Sequence, residues 1–189
     1  GLFTVCGNQE EPDPETGLFK ANAFTEADMG NSLYHELLPV EIIEYTPPAA
    51  VVIIIDTSGS MYNPNVPFET TKLYAAQQGA LSCLEALTER DWVGVMTFAD
   101  QSAQSLEITP RVERDKIMSA INNLPRNGGN TKFTGAINDA GDALVALSAV
   151  ERRHIILVTD GQPQDDEEDY GAAMKKNADR GITMSIVGI

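Results

Sequence analysis

Cysteine and histidine are scarce in this sequence. Among 189 residues there are two of each, Cys6, Cys83, His35 and His154. Two cysteines are too few for a disulfide framework, and neither has the neighbours of a zinc site. Cys83 lies on the apolar face of a predicted helix, where we expect a buried small hydrophobic residue. With 42% hydrophobic residues, the composition is that of a globular protein.

Basic residues and long apolar runs are also few. Thirteen Lys and Arg stand against 28 Asp and Glu, which gives a net charge of −15. Such a charge repels nucleic-acid phosphates and anionic membranes and concentrates cations. No run reaches the roughly 18 apolar residues that span a bilayer. We expect neither nucleic-acid binding nor membrane insertion by this segment. No signal peptide is visible, as expected of a cytosolic chain or of a piece of a longer one.

Apolar runs and amphipathic stretches alternate along most of the chain. Helices between strands predict a mostly parallel sheet that is covered on both faces, an α/β fold. β-Branched and apolar runs predict strands at 51–55, 92–98, 105–109, 154–159 and 182–187, and the run 51–55 is expected to be buried on both faces. Helical spacing predicts helices at about 68–87 and 111–124, after the loop 127–131 and after the acidic run 165–169.

Polar side chains follow two of the predicted strands. The first apolar strand ends in Asp56, Ser58 and Ser60, and the fourth ends in Asp160. Ligands of open α/β sheets gather beyond the carboxyl ends of the strands. Three oxygen donors within five residues suit a small hard cation such as Mg²⁺. The alternative on these residues alone is a polar turn that follows a core strand and binds nothing.

Five residues resemble the metal-ion-dependent adhesion site (MIDAS) of the von Willebrand factor A family: Asp56, Ser58, Ser60, Thr131 and Asp160. That site has the pattern Asp-x-Ser-x-Ser, then a threonine in a glycine-rich loop, then an aspartate at a later strand end. The resemblance implies a Rossmann-like fold with a short antiparallel edge strand. It also implies Mg²⁺ or Mn²⁺ in preference to Ca²⁺, an adhesion-type partner that offers a carboxylate, and no catalysis. The glycines before Thr131 predict an adjustable loop.

The resemblance covers roughly residues 49–189, so we expect the A domain at 47–189 and an N-terminal extension at 1–46. Domains of this family usually continue with a further helix, which implies truncation at the C-terminus. The stretch Leu37-Leu38-Pro39-Val40 resembles the region preceding the domain in bacterial membrane-anchored proteins with a glutamine-amidotransferase-like part. This implies an extracytoplasmic or cell-surface domain of a membrane-anchored parent protein, with a cytoplasmic setting as the alternative.

Enzyme classes fit the sequence less well. A haloacid-dehalogenase-like phosphotransferase also places an aspartate after an apolar strand, and Asp56 would then be its nucleophile. That family needs a second aspartate two residues later as acid and base, where this chain has Ser58. The sequence also lacks a Gly-x-Ser-x-Gly nucleophile motif, a phosphate-binding loop and a dinucleotide fingerprint. We therefore expect a binding protein, with the phosphotransferase as the alternative.

Overall fold

The central strand is the apolar run predicted from the sequence. A computed structural model describes residues 47–126, 128–148 and 150–189. Strand β1 spans Ala49–Asp56, and its residues from Ala50 onward are all buried. Bulky β-branched side chains favour this extended, doubly covered position. The predicted extension at 1–46, with Cys6 and His35, lies outside the described residues.

The described elements alternate as predicted. In chain order they are β1, a 3₁₀ turn (Phe68–Thr70), α1 (Lys72–Ala86), β2 (Trp92–Phe98), β3 (Ser102–Pro110), α2 (Arg114–Asn122), α3 (Phe133–Ala146), β4 (Arg152–Thr159), α4 (Glu167–Asp179) and β5 (Ile182–Gly188). The predicted helix at 68–87 is divided at Thr71, whose side chain caps α1 by accepting a hydrogen bond from the Tyr74 amide. Strand β3 is longer than the short strand predicted at 105–109, because its pairing with β2 extends it to nine residues, Ser102–Pro110. It ends in a proline, which an edge strand tolerates.

The strands form one sheet in the order β3-β2-β1-β4-β5. β1 pairs in parallel with both β2 and β4, β4 pairs in parallel with β5, and β2 pairs antiparallel with β3. The prediction of a mostly parallel sheet with one antiparallel edge strand is confirmed. Because the chain continues from β1 to one neighbour and later returns to the other, the carboxyl ends of β1 and β4 form a topological switch point.

Helices cover both faces of the sheet, as predicted. On one face, Val51, Ile53 and Ile55 of β1 belong to a core that includes buried residues of α1 and α2. On the other face, Val52 and Ile54 belong to a core that includes buried residues of α3 and α4. This division follows from the alternation of side chains along a strand. It explains why β1 needs apolar residues at successive positions.

Two arginines satisfy carbonyl groups at the ends of helices on opposite faces. Arg111 Nε donates to the Leu84 carbonyl of α1 at 2.9 Å. Arg153 donates to the carbonyls of Leu144 and Leu147 at the end of α3, at 2.9 and 3.0 Å. Neither helix carries a basic residue in its own last turn. The cation that favours a helix C-terminus is therefore supplied from elsewhere in the chain.

Cys83 on α1 is only half-buried, in contrast to the buried position we predicted. It packs at the margin of the core beneath α1 and α2, and burial raises the pKa of its thiol. Its thiol is free among the described residues. The raised pKa leaves the sulfur mostly protonated and unreactive at neutral pH.

Candidate metal-binding site

Asp56 closes β1 and is completely buried. Its Oδ1 accepts a hydrogen bond from the Ser58 amide at 2.8 Å, and its Oδ2 accepts one from Thr159 Oγ1 at 2.6 Å. Both carboxylate oxygens are therefore held by neutral donors, one from the following turn and one from the end of β4. Sequence analysis missed Thr159, although its position immediately before Asp160 was a usable signal.

Ser58, Ser60 and Asp160 form a continuous chain of hydrogen bonds beside Asp56. The two serine hydroxyl oxygens lie 3.2 Å apart, and Ser60 Oγ donates to Asp160 Oδ1 at 2.7 Å. Ser58 is 1% exposed and the Asp160 side chain also 1%, whereas Ser60 is exposed. The ends of β1 and β4 thus bring four of the five predicted residues into one cluster.

Thr131 reaches the same end of the sheet from the loop before α3. Its side chain lies against Gly161, where an added Cβ would be 3.6 Å from Thr131 Oγ1. Its carbonyl accepts a hydrogen bond from the Gln164 amide at 2.7 Å. No hydrogen bond joins its hydroxyl to the other four predicted residues, all of which the structure describes. Thr131 therefore borders the cluster through the residue that follows Asp160.

The glycine-rich loop that carries Thr131 is hydrogen-bonded to the segments that follow β1 and β2. Gly128 and Gly129 have positive φ angles of 67° and 106°, which residues that carry a Cβ atom rarely adopt. The Gly59 amide donates to the Gly129 carbonyl at 3.2 Å, and the Lys132 amide donates to Ala99 at 3.1 Å. The predicted glycines thus shape a loop that backbone hydrogen bonds hold in place.

Asp165 fixes the beginning of α3 after the loop. It accepts hydrogen bonds from the amides of Phe133 and Thr134, at 3.1 and 2.6 Å, and from the Thr134 hydroxyl. Burial opposes its ionisation, but these hydrogen bonds outweigh burial and hold its pKa below the usual value. Later members of the acidic run 165–169 lie in the first turn of α4, where negative charge is favourable. Its first member in addition caps α3, and so joins the loop after Asp160 to the loop that carries Thr131.

Sequence analysis missed two basic side chains, Lys72 beside the cluster and Arg126 over two aromatic rings. Lys72 Nζ is 2.6 Å from Asp160 Oδ2. The Arg126 guanidinium lies over the rings of Phe68 and Tyr62, 4.1 and 5.0 Å from their centroids. Lys72 could have been noticed because a cation is unfavourable at the start of a helix. Arg126 carried no such signal, since its aromatic neighbours are remote in sequence.

The chemistry of the clustered groups fits a small divalent cation. Two carboxylates supply two negative charges, and the serine and threonine hydroxyls supply neutral oxygen donors, which Mg²⁺ and Mn²⁺ prefer. Among residues 47–126, 128–148 and 150–189, no group of three His, Cys, Asp or Glu side chains is placed to bind a metal. A site here therefore depends on hydroxyl groups, and soft metals are disfavoured.

The sheet order and the oxygen-rich switch point define an α/β domain with a cluster of polar groups at the carboxyl ends of its strands. The chain belongs to the von Willebrand factor type A domain family, whose model matches residues 51–162. This match begins in β1 and extends just beyond Asp160. It gives no support to the phosphotransferase alternative.

Similar proteins include a collagen, a membrane protein and a pilus adhesin. The chain is 27% identical over 146 residues to the collagen alpha-1(XII) chain of Notophthalmus viridescens, covering 75% of this chain but only 15% of the collagen. An aerotolerance-related membrane protein of Bacteroides fragilis superposes with a TM-score of 0.61 at 26% identity, covering 74% of this chain and 67% of that one. The pilus adhesin SpaC of Lactobacillus rhamnosus GG superposes with a TM-score of 0.62 at 16% identity, covering 77% and 25% respectively, which shows a shared fold.

The helices in the described part of the chain are too short or too polar for a transmembrane segment. The match to the collagen is confined to a small fraction of that protein. The similarity therefore concerns this domain and not the rest of the collagen.

Proposed function

We propose that this domain is a non-catalytic, adhesion-type binding module that captures an acidic group of a partner through a divalent cation. Asp56, Ser58, Ser60, Thr131 and Asp160 would hold the cation, Mg²⁺ or Mn²⁺. The observation that carries the proposal is the hydrogen-bonded chain Ser58–Ser60–Asp160, with spacings of 3.2 and 2.7 Å. Polar groups clustered at a switch point, rather than scattered in a turn, are expected of a ligand site.

The chain's own residues divide the work of such a site. Hydrogen bonds from Ser58 and Thr159 hold Asp56 in place, so its buried carboxylate supplies a fixed negative charge. Ser60 is exposed and borders the open side of the cluster. When bound, the cation would supply an electrophilic position for an oxygen of the partner. This arrangement positions and charges a site for binding a ligand.

We further propose that the domain works outside the cytoplasm, on a cell surface or in an extracellular matrix. The names of its relatives support this setting, since they include a collagen, a membrane protein and a pilus adhesin. The partner would be a protein or another ligand that offers a carboxylate. A bacterial, membrane-anchored parent protein fits the likeness to the Bacteroides protein.

Thermal unfolding with and without cation tests the metal site. Mg²⁺ at about 100 times its Kd stabilises a native state that alone binds it by about 2.7 kcal/mol. For a chain of this size that raises the Tm by roughly 5–10 °C over a chelator control. Asp56→Ala should lose the shift, whereas Asp115→Ala, which removes an exposed carboxylate from α2, should keep it. Equal shifts in all three proteins would rule out the assigned ligands.

A peptide pair tests the capture of a carboxylate. Water-proton relaxation of the Mn²⁺-loaded protein should fall when a capped peptide with one aspartate replaces a bound water, and its asparagine analogue should have no effect. Thr131→Ala should weaken peptide binding more than Mn²⁺ binding, because four donors remain for the cation. Loss of Mn²⁺ binding with intact peptide binding would contradict the acidic-ligand mechanism.

A further inference from the structure

Lys72 opens helix α1 at the end of the sheet where the candidate ligands lie. Its ammonium nitrogen is 2.6 Å from Asp160 Oδ2, while the other oxygen of this carboxylate accepts a hydrogen bond from Ser60. The Asp160 side chain is 1% exposed and the Lys72 side chain 50% exposed. One of the two carboxylates of the candidate site is therefore neutralised by the ammonium group of a long, half-exposed lysine side chain.

The helix itself does not explain a lysine at this position. The first turn of a helix carries partial positive charge and favours acidic residues, so a cation there costs stability. α1 has no acidic residue in its first turn, and its cap comes from Thr71. By contrast, Lys116 pairs with the exposed carboxylate of Glu113, three positions away at the start of its own helix. Lys72 instead joins a buried carboxylate 88 positions away.

We propose that Lys72 is a built-in counter-ion that competes with the divalent cation for Asp160. This inference rests on the proposed metal site and assigns its regulation. In the metal-free protein Lys72 neutralises Asp160 and prevents a bare charge in a buried position. Metal binding then requires this ion pair to open, and the half-exposed Lys72 side chain has room to turn into solvent. The residue sets how much free cation the domain needs before it can bind a partner.

Titration calorimetry with Mg²⁺ and with Mn²⁺ tests the proposal on the whole 189-residue chain. Lys72→Met should bind each cation roughly tenfold more tightly, since the cation no longer has to displace a counter-ion, and the attraction between two unit charges about 4 Å apart corresponds to a factor of that order at a dielectric between those of water and a protein surface. Lys116→Met removes the same charge from an exposed ion pair on α2 and should leave the affinity unchanged. Lys72→Arg keeps the charge and should remain within about twofold of the original chain.

Melting curves give a second readout. Without cation, Lys72→Met should melt below the original chain because Asp160 has lost its counter-ion. With saturating Mg²⁺ the difference in Tm between the two proteins should disappear or change sign. The rise in Tm caused by Mg²⁺ is therefore larger in the variant. Lys72→Gln, which can still donate a hydrogen bond to Asp160, should change in the same direction and replaces the methionine variant if circular dichroism shows that variant unfolded.

The outcomes separate this inference from the proposed function. If the original chain binds neither cation by calorimetry, the metal site itself is wrong. If it binds them and the two uncharged Lys72 variants bind equally or more weakly, the site stands and the counter-ion role is overturned. Weaker binding in those variants would mean that Lys72 orients Asp160 for the metal rather than competing with it.

Discussion

Asp91 joins the loop after α1 to the start of β1. Its Oδ1 accepts a hydrogen bond from the Ala49 amide at 2.8 Å, and its Oδ2 accepts from the amide and hydroxyl of Thr88 at 2.7 and 2.9 Å. Burial opposes its ionisation, but these hydrogen bonds and the nearby Arg152 hold its pKa below the usual 3.8. One side chain therefore organises the end of the sheet opposite the candidate site.

This contact predicts a pH-dependent loss of stability. Because the folded pKa of Asp91 lies below the unfolded one, the stabilisation is complete above about pH 5 and is lost as pH falls through the folded pKa. Asp91→Asn should lower the free energy of unfolding by about 2 kcal/mol at pH 7, since its amide cannot accept all three hydrogen bonds. Urea titrations at pH 7, 5 and 3 measure the difference, which should shrink at pH 3.

Glu89→Gln, at a neighbouring exposed position, is the control and should change stability little at any of these pH values. A penalty for Asp91→Asn that stays constant down to pH 3 would show that shape, and not charge, is responsible. Asp165, whose pKa is lowered in the same way, contributes to acid sensitivity in the same direction.

At the scale of elements, α3 and α4 approach each other at a glycine. Gly141 of α3 faces Asn177 of α4, and an added Cβ would overlap the carboxamide of that side chain. Asn177 is 2% exposed and donates from Nδ2 to the Ile137 carbonyl at 2.9 Å, while its Oδ1 has no hydrogen-bond partner. The buried carboxamide therefore has little freedom to make room.

Matched glycine substitutions test this contact. Gly141→Ala should destabilise the protein by about 1–3 kcal/mol through overpacking. Gly79→Ala on the exposed face of α1, where a Cβ meets nothing within 4 Å, should stabilise it by up to about 1 kcal/mol. Denaturant midpoints of the two variants should thus move in opposite directions. Stabilisation by both substitutions would contradict the prediction, because it would mean that the Asn177 side chain can move away from a Cβ at position 141.

The strands and helices of the sheet show how much of the structure can be predicted from the sequence. The β-branched run of β1 and the strand–helix alternation predicted the sheet and its covered faces, because periodicity reports local burial. The boundary at Thr71 and the length of β3 were missed, since they depend on one cap and one strand pairing. Lys72, Thr159 and Asp165 were missed for a related reason. Each acts on a residue remote in sequence, so a local pattern can draw attention to the residue, as for Lys72 and Thr159, but cannot identify its partner.

For the whole molecule, the net charge of −15 has a measurable consequence. Like charges repel in the compact state, and salt screens them over a Debye length that falls from about 30 Å at 0.01 M to about 10 Å at 0.1 M. Raising KCl from 10 to 300 mM should therefore raise the Tm by a few degrees. A scanning calorimeter measures this, with KCl and MgCl₂ compared at equal ionic strength to isolate specific Mg²⁺ binding.

A fall in Tm with KCl would contradict the prediction. It would mean that surface ion pairs such as Arg180–Asp142 and Lys175–Asp179 outweigh the general repulsion. Exposed pairs of this kind usually contribute less than about 1 kcal/mol each. Repulsion should therefore dominate in a chain with more than twice as many acidic as basic residues.

The hydrogen bond between Ser60 and Asp160 joins residues 100 positions apart in the chain. Its formation requires β4 to pair with β1, and such distant parallel pairing is slow because a long loop must close first. If the cluster is completed after the rate-limiting step, a bound cation should slow unfolding and leave the refolding rate unchanged. During synthesis, a ribosome-bound chain would complete this cluster only after β4 had emerged, long after the serines were made.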